Sequence, residues 1–358
     1  MTVLMLFQGV VMVTGDEVVP RVTEDGMAWY DASQWPREGQ AWLNPDQPYG
    51  RLPARDNLPV GVVTLGRQSA GLISHFATDA PFIMVRYRVT GNLAIAQMPA
   101  TGVSGFDLYC RAGDRWLWSG VSLPEKQEDT LELVSGMDAV QKEFKLYFPL
   151  YNEVALCEIG VPEGSWFQPL NPPDGPVIVY YGTSITHGGC VSRPGMTFLS
   201  QLNRRMHRTF INMGFAGNAR MEPEVAMLLA ELNPDLFVID ALPNMTPEQV
   251  RDRAMPFIKI LRERHAETPI LLVEDRSFSN AWLHADFRKL HENLRFELKK
   301  AYEQCRAAGD TNIFYLPADE LLGESKDFDA TTDGSHPSDL GATRMADVLE
   351  KTIQQILQ

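Results

Sequence analysis

Positive charge is scarce in this chain of 358 residues: 32 Lys and Arg stand against 46 Asp and Glu, a formal net charge of −14. Nucleic acids and anionic membrane surfaces need a basic footprint, so neither is expected as a partner. Cysteine is scarce as well. Cys110, Cys157, Cys190 and Cys305 are widely spaced, form no C-x-x-C pair, and read as buried small hydrophobes. No His, Cys, Asp and Glu set has a metal-ligand spacing such as H-E-x-x-H, so neither a metal nor a cofactor is expected. Long apolar runs are missing too. The opening "MTVLMLFQGVVMVTGDEVVPR" is interrupted by Gln8 and Gly9, is too short to span a bilayer, and reads as a first β-strand pair. It has no Lys or Arg before its apolar run and no small-x-small cleavage site, which favours the cytoplasm unless a leader has been removed.

An apolar fraction of 44% and a charged fraction of 22% describe an ordinary soluble protein, and the length suits two domains. Residues 1–165 read as β, with no helical period. Short runs such as "PFIMVRYRVTG" (81–91), "RWLWSG" (115–120) and "EFKLYFPLYNEVALCEIGV" (143–161) are broken by Gly, Pro and Asp clusters. Six of the seven tryptophans fall before residue 170, which suits a sheet-on-sheet core better than an exposed sugar-stacking face. A β-sandwich is the physical default for such a half. A Pro- and Gly-rich linker, 166–176, follows it.

From 177 to 358 strand-like and helical segments alternate. Apolar runs lie at 177–181, 210–214, 235–242, 269–275 and 313–318. A helix capped at Thr246, with Pro247 in its first turn and Gln249 at the capping-box position, contains Pro256, which should kink or divide it. Further helices are expected at 281–308, ending at Gly309, and at 339–357. His284 and His291 on the first of these read as a solvated face. Five apolar strands joined by helices imply a parallel sheet covered on both faces, with ligands bound beyond the carboxyl ends of the strands.

One such strand runs into "VIVYYGTSITHGG" (177–189), a glycine turn that puts Ser184 at its mouth. A phosphate loop would need G-x-x-x-x-G-K-[ST], yet no lysine occurs anywhere from 146 to 258 and the G-x-G-x-x-G spacing is absent here. A nucleophile needs a base, an orienter and oxyanion donors. Near the C-terminus "DGSHPSDLG" places Asp333 and His336 two residues apart in a tight turn before a helix. His336 would take the Ser184 proton while Asp333 holds the ring. Read alone, that spacing is a structural turn. Paired with a serine at the first strand end, it points to acyl chemistry.

The blocks "YGTSITHGG", "NMGFAGN", "LPNM" and "DGSHPSDLG", in that order, resemble the SGNH (GDSL-like) hydrolase family. The resemblance covers 177 to about 357. It implies a flavodoxin-like three-layer α/β/α domain, with Ser184 as nucleophile and Asp333 and His336 completing the triad. Ser184, Gly214 and Asn244 would supply the oxyanion hole. The bland alternatives are a helix cap for Asn244 and a tight turn for Gly214 and Gly217. "SGFDLYCR" (104–111) resembles the Gly-x-Asp-Leu-Tyr signature of a branch with an N-terminal, jelly-roll-like β-sandwich; its Asp107 and Tyr109 read as structural. Thr183 replaces the usual block-one aspartate, and "LPNM" lacks the Gly and Asp that often flank the asparagine. His187 and Arg193 are candidate substrate contacts, each weighed against a structural loop role. The resemblance implies an esterase that hydrolyses small acyl esters, acetyl above all, of a carbohydrate or another small molecule. Acyl transfer to an alcohol and a catalytically silent carbohydrate-binding module are the alternatives. The sequence leaves the oligomeric state open.

Overall fold

Alternation sets the first half. In Ile83–Val89 the residues Ile83, Val85, Tyr87 and Val89 are buried, while the intervening Met84, Arg86 and Arg88 are less so. The computed structural model describes residues 18–319, 321–323 and 329–358. Its first strands in chain order are β1 (Arg21–Val22), β2 (Met27–Asp31), β3 (Ile73–Thr78), β4 (Ile83–Val89) and β5 (Asp107–Ala112). They are followed by β6 (Arg115–Val121), β7 (Glu128–Val134), β8 (Lys142–Tyr147), β9 (Val154–Pro162) and β10 (Phe167–Leu170). They form two antiparallel sheets, β1-β2-β9-β4-β7 and β10-β3-β8-β5-β6. Apart from the edge strands β1 and β10, eight strands divide into two four-stranded sheets, β2-β9-β4-β7 and β3-β8-β5-β6, the jelly-roll arrangement. Their shared core includes Phe76, stacked between Phe144 at 5.4 Å and Phe167 at 5.3 Å.

Two features depart from the sequence reading. The stretch expected as a linker, 166–176, contains β10, which pairs with β3 because Phe167 has a place in the sandwich core. Two short helices, α1 (Val60–Gly66) and α2 (Ala100–Val103), interrupt the β half. Both are too short to establish a helical period in sequence. The strand pair expected over residues 1–21 lies outside the described residues, except for its last few positions, where β1 begins.

The second half alternates β11 (Val177–Gly182), α3 (Ser184–His187), α4 (Phe198–Met206), β12 (Thr209–Gly214), α5 (Pro223–Leu229) and β13 (Leu236–Asp240). It continues with α6 (Pro247–Arg264), β14 (Ile270–Val273), α7 (Ala285–Ala307), β15 (Ile313–Leu316) and α8 (Asp339–Ile356). The sheet is parallel in the order β12-β11-β13-β14-β15, the flavodoxin order, whose switch point lies beside β11. The strands are buried almost throughout, with one apolar cluster on each face. Pro256 does not divide α6, which runs unbroken for 18 residues. The proline and Asp252, four residues back, both sit on the exposed face, where water can take the carbonyl that proline leaves without a donor. Thr246 and Gln249 form the expected capping box. Among the described residues no helix is long and apolar enough to cross a membrane.

The two halves meet along a buried polar seam. Glu38 Oε2 accepts from His75 Nε2 at 2.7 Å and from Lys145 Nζ at 3.4 Å; Glu38 Oε1 accepts from Asn203 Nδ2 at 2.6 Å and Thr209 Oγ1 at 3.1 Å. Arg51, 1% exposed, donates from Nη1 to the carbonyls of Asn212 and Gly214, both at 2.9 Å, at the end of β12. Its Nη2 and Nε take the carbonyls of Leu65 and Gln68.

Candidate active site

β11 ends at Gly182, where a Cβ would lie 2.1 Å from Thr186 Oγ1 and 2.8 Å from the Asp240 carbonyl. Only glycine fits so close an approach. Thr183 follows in an extended conformation, and its hydroxyl accepts from Ile185 N–H at 3.3 Å. The residue that replaces the usual aspartate thus caps the single helical turn carrying Ser184. The Ser184 carbonyl accepts from Gly189 N–H at 2.7 Å and from the Tyr151 hydroxyl at 3.1 Å. Tyr151 belongs to the β half, which therefore braces the serine turn directly.

The loop before α8 brings up the other two groups. Asp333 Oδ1 accepts the backbone N–H groups of Ser335 at 3.0 Å and His336 at 2.9 Å, with Gly334 at φ +91° making the turn. Asp333 Oδ2, 2.7 Å from His336 Nδ1, receives the ring N–H. His336 Nε2 in turn stands 2.7 Å from Ser184 Oγ. Burial acts to raise the Asp333 pKa, but the bonds from His336 and Ser335 outweigh it and hold the carboxyl below its usual value. The loop is tied down by Ser279 N–H to the Gly334 carbonyl at 2.7 Å and by Thr332 N–H to the His336 carbonyl at 2.9 Å. With Nδ1 carrying the proton toward a carboxylate, the Nε2 lone pair faces the serine hydroxyl and can receive its proton.

Gly214 is not the free donor expected from the sequence. Its N–H is given to Asn212 Oδ1 at 2.9 Å, and a Cβ there would lie 2.1 Å from His187 N. It is the contact through which β12 packs on α3. The turn beyond it differs: Gly217 is exposed, left-handed at φ +68°, and has open space around its Cα. Asn244 Nδ2 leans on the same turn, 3.3 Å from the Phe215 carbonyl, and does not cap α6, which Thr246 does.

The two candidate substrate contacts have other partners. His187 is fully buried; its Nε2 donates to the Leu150 carbonyl at 2.8 Å, and its ring stacks on Tyr151 at 4.2 Å. Burial, helped by nearby Arg51, pushes its pKa well below the usual value and keeps the ring neutral. Arg193 Nη1 donates to Asp107 Oδ2 and to the Tyr109 hydroxyl, both at 2.7 Å, and its guanidinium lies over Trp118. Asp107 also accepts from Gly195 N–H at 2.8 Å and Trp118 Nε1 at 3.0 Å. The Asp-Leu-Tyr signature is thus a clasp between the halves, and Arg193 is its other side.

A model of the GDSL-like lipase/acylhydrolase family matches residues 176–354, and a model of the N-terminus of SGNH-hydrolase-type esterases, the Gly-x-Asp-Leu-Tyr module, matches 27–167. A Bacteroides ovatus ATCC 8483 protein described as a GDSL-like lipase is 31% identical, with 92% of this chain and 98% of that one covered at a TM-score of 0.89. The chain belongs to the GDSL-like lipase/acylhydrolase family. This GDSL-like acylhydrolase is an ester-hydrolysing enzyme. The salicylyl-acyltransferase SsfX3 of a tetracycline biosynthetic pathway shares its fold at 21% identity, covering 94% and 96% of the two chains, TM-score 0.72. A family two carbohydrate esterase from Cellvibrio japonicus does so at 14% identity, covering 92% and 98%, TM-score 0.59. No curated protein matches the sequence.

Several residues around the Ser184–His336–Asp333 relay of the GDSL-like acylhydrolase were not legible in sequence. Tyr151 reaches Ser184 across 33 positions from the other sheet system, and Arg51 reaches Gly214 across 163. Asn212 pins β12 to α3 by donating to the Thr186 carbonyl at 2.9 Å. His291, expected on a solvated face, is buried: its Nδ1 donates to Asp275 Oδ2 at 2.5 Å and its Nε2 accepts from Phe278 N–H at 3.1 Å, shaping the 276–284 loop that braces Gly334. Cys190 is buried beside Asp333; burial and that carboxylate push its thiol up to about 12, so it carries no charge.

Proposed function

We propose that this acylhydrolase removes O-acetyl groups from a carbohydrate through a covalent acyl-enzyme. The observation that carries the mechanism is the relay from Ser184 Oγ to His336 Nε2 and from His336 Nδ1 to Asp333 Oδ2, each step 2.7 Å. His336 takes the hydroxyl proton as Ser184 Oγ attacks the ester carbonyl. The tetrahedral oxygen is received by the N–H of Ser184, the N–H of Gly217 and Asn244 Nδ2. Collapse of this intermediate passes the proton from His336 to the leaving sugar oxygen. Water then attacks the acyl-enzyme with His336 again as base, collapse returns that proton from His336 to the departing Ser184 Oγ as acetate leaves, and the Asp333 carboxylate stabilises each imidazolium.

The substrate is supported by the carbohydrate esterases that share this fold and by two tryptophans outside the core, Trp118 at 53% and Trp282 at 61% exposure. Only part of the tryptophan set, Trp29 and Trp35, is fully inside. A second reading, transfer of the acyl group to an alcohol, is favoured by the likeness of the whole chain to an acyltransferase. It uses the same acyl-enzyme and differs in what reaches it. Hydrolysis of acetylated sugars and of activated esters of increasing acyl length, with product analysis in the presence of alcohols, separates the two. Ser184→Ala is expected to cost on the order of 10⁶ in kcat; a variant that hydrolyses like wild type overturns the mechanism.

A further inference from the structure

One group beside the relay takes no part in it. Cys190 Sγ, an Asp333 carboxylate oxygen and a His336 ring nitrogen all lie within 4.8 Å of one another, the one such trio found among the described residues. Cys190 is a non-glycine residue in the left-handed region, φ +72°, a conformation that persists only where the surroundings enforce it. Its carbonyl accepts from Thr332 Oγ1 at 3.5 Å, and Gly189 before it packs so closely that a Cβ would stand 3.1 Å from His336 Cδ2. The sulfur is thereby held against the His336 loop. It is 93% covered as a residue (7% exposed), while the Asp333 and His336 side chains are 36% and 22% exposed, so an ion can enter from the carboxylate side.

We propose that this trio is an inhibitory Zn²⁺ site. Thiolate, imidazole and carboxylate are the donors zinc prefers, and three protein ligands leave the fourth tetrahedral position to water. His336 Nε2 faces Ser184 and Nδ1 faces Asp333, so an ion shared with the carboxylate takes Nδ1. The ring proton moves from Nδ1 to Nε2, the thiol proton leaves to solvent, and each ion bound releases one proton. With Nε2 protonated and directed at Ser184, the ring has no lone pair for the hydroxyl proton and the esterase stops. The inhibition rests on the relay proposed above; the binding of the ion does not.

The test uses the full chain. Zn²⁺ is titrated against hydrolysis of p-nitrophenyl acetate, and Cd²⁺ binding is followed in parallel by Cd–thiolate charge-transfer absorption, for wild type, Cys190→Ser and His336→Gln. Zinc is expected to inhibit wild type, and EDTA to restore it. Cys190→Ser should keep the metal-free rate and, having lost a direct ligand, need at least about 100-fold more Zn²⁺ for the same inhibition, since losing even an outer-shell partner costs about 10- to 100-fold. The Cd²⁺ absorption should fall in both variants, and the His336→Gln arm serves if Cys190→Ser does not fold. Equal zinc sensitivity of wild type and Cys190→Ser, or an undiminished Cd²⁺ band in either variant, overturns the site. If wild type hydrolyses no ester while the band is lost in both variants, the ion site stands and the serine relay falls.

Discussion

Asn244 and Gly214 show how a residue's chemistry is decided by what else claims its hydrogen bonds. Both were candidates for the same oxygen. The Gly214 N–H is committed to Asn212, whereas among the described residues the Asn244 side chain has only one long contact, to a carbonyl that uses one of its two amide hydrogens. Asn244→Ala is therefore expected to lower kcat by about 10² to 10³ with little change in KM, because the donor acts on charge that develops in the transition state. Steady-state kinetics on an activated acetyl ester checks it. A variant whose whole defect lies in KM would assign the side chain to ground-state binding instead.

At the scale of elements, the serine turn depends on being pressed against its neighbour. α3 is four residues long, far too short to hold itself, and it rests on β12 through Gly214 and Asn212. Gly214→Ala puts a methyl group into the His187 backbone and should destabilise the fold by about 1–3 kcal/mol. It should also reduce activity through displacement of Ser184, with the two effects read from denaturant midpoints and from rates under folded conditions. The same contact explains what sequence could and could not reveal. Strands β11 to β15, the capping box of α6 and the Asp333-x-x-His336 turn are local patterns, and each was readable from its own residues. Gly214 and Gly217 look alike in "NMGFAGN"; that the first gives its N–H to Asn212 while the second stands exposed depends on how the chain turns after Phe215, a tertiary fact. His187 carries no mark that Tyr151, from the far sheet, stacks on its ring.

For the whole molecule, the Glu38 seam makes stability depend on acid. Burial acts to raise the Glu38 pKa, but His75, Lys145 and Asn203 outweigh it and bring the carboxyl down to about 2 from an ordinary 4.5. A carboxylate depressed in this way contributes fully above pH 4.5 and loses its contribution as pH falls toward 2. That difference is worth roughly 3 kcal/mol. His75 is also depressed, mainly by burial, so its protonation on acidification acts in the same direction. Urea midpoints recorded from neutral pH into this acid range should fall for wild type. Glu38→Gln should start lower by about 3–5 kcal/mol, since Lys145 loses its counter-charge, and should show a flatter acid limb. Parallel limbs in the two proteins would remove Glu38 as the cause.

Arg51 gives the partnership of the two halves a direction. The jelly roll supplies the cation, and the hydrolase sheet supplies two of the four carbonyls that occupy it, at the root of the turn holding Gly217. A hydrolase half transplanted onto a foreign partner would inherit two unclaimed oxygens beneath its reaction centre. Exchange of this hydrolase half is therefore constrained to partners that still project a guanidinium into that socket.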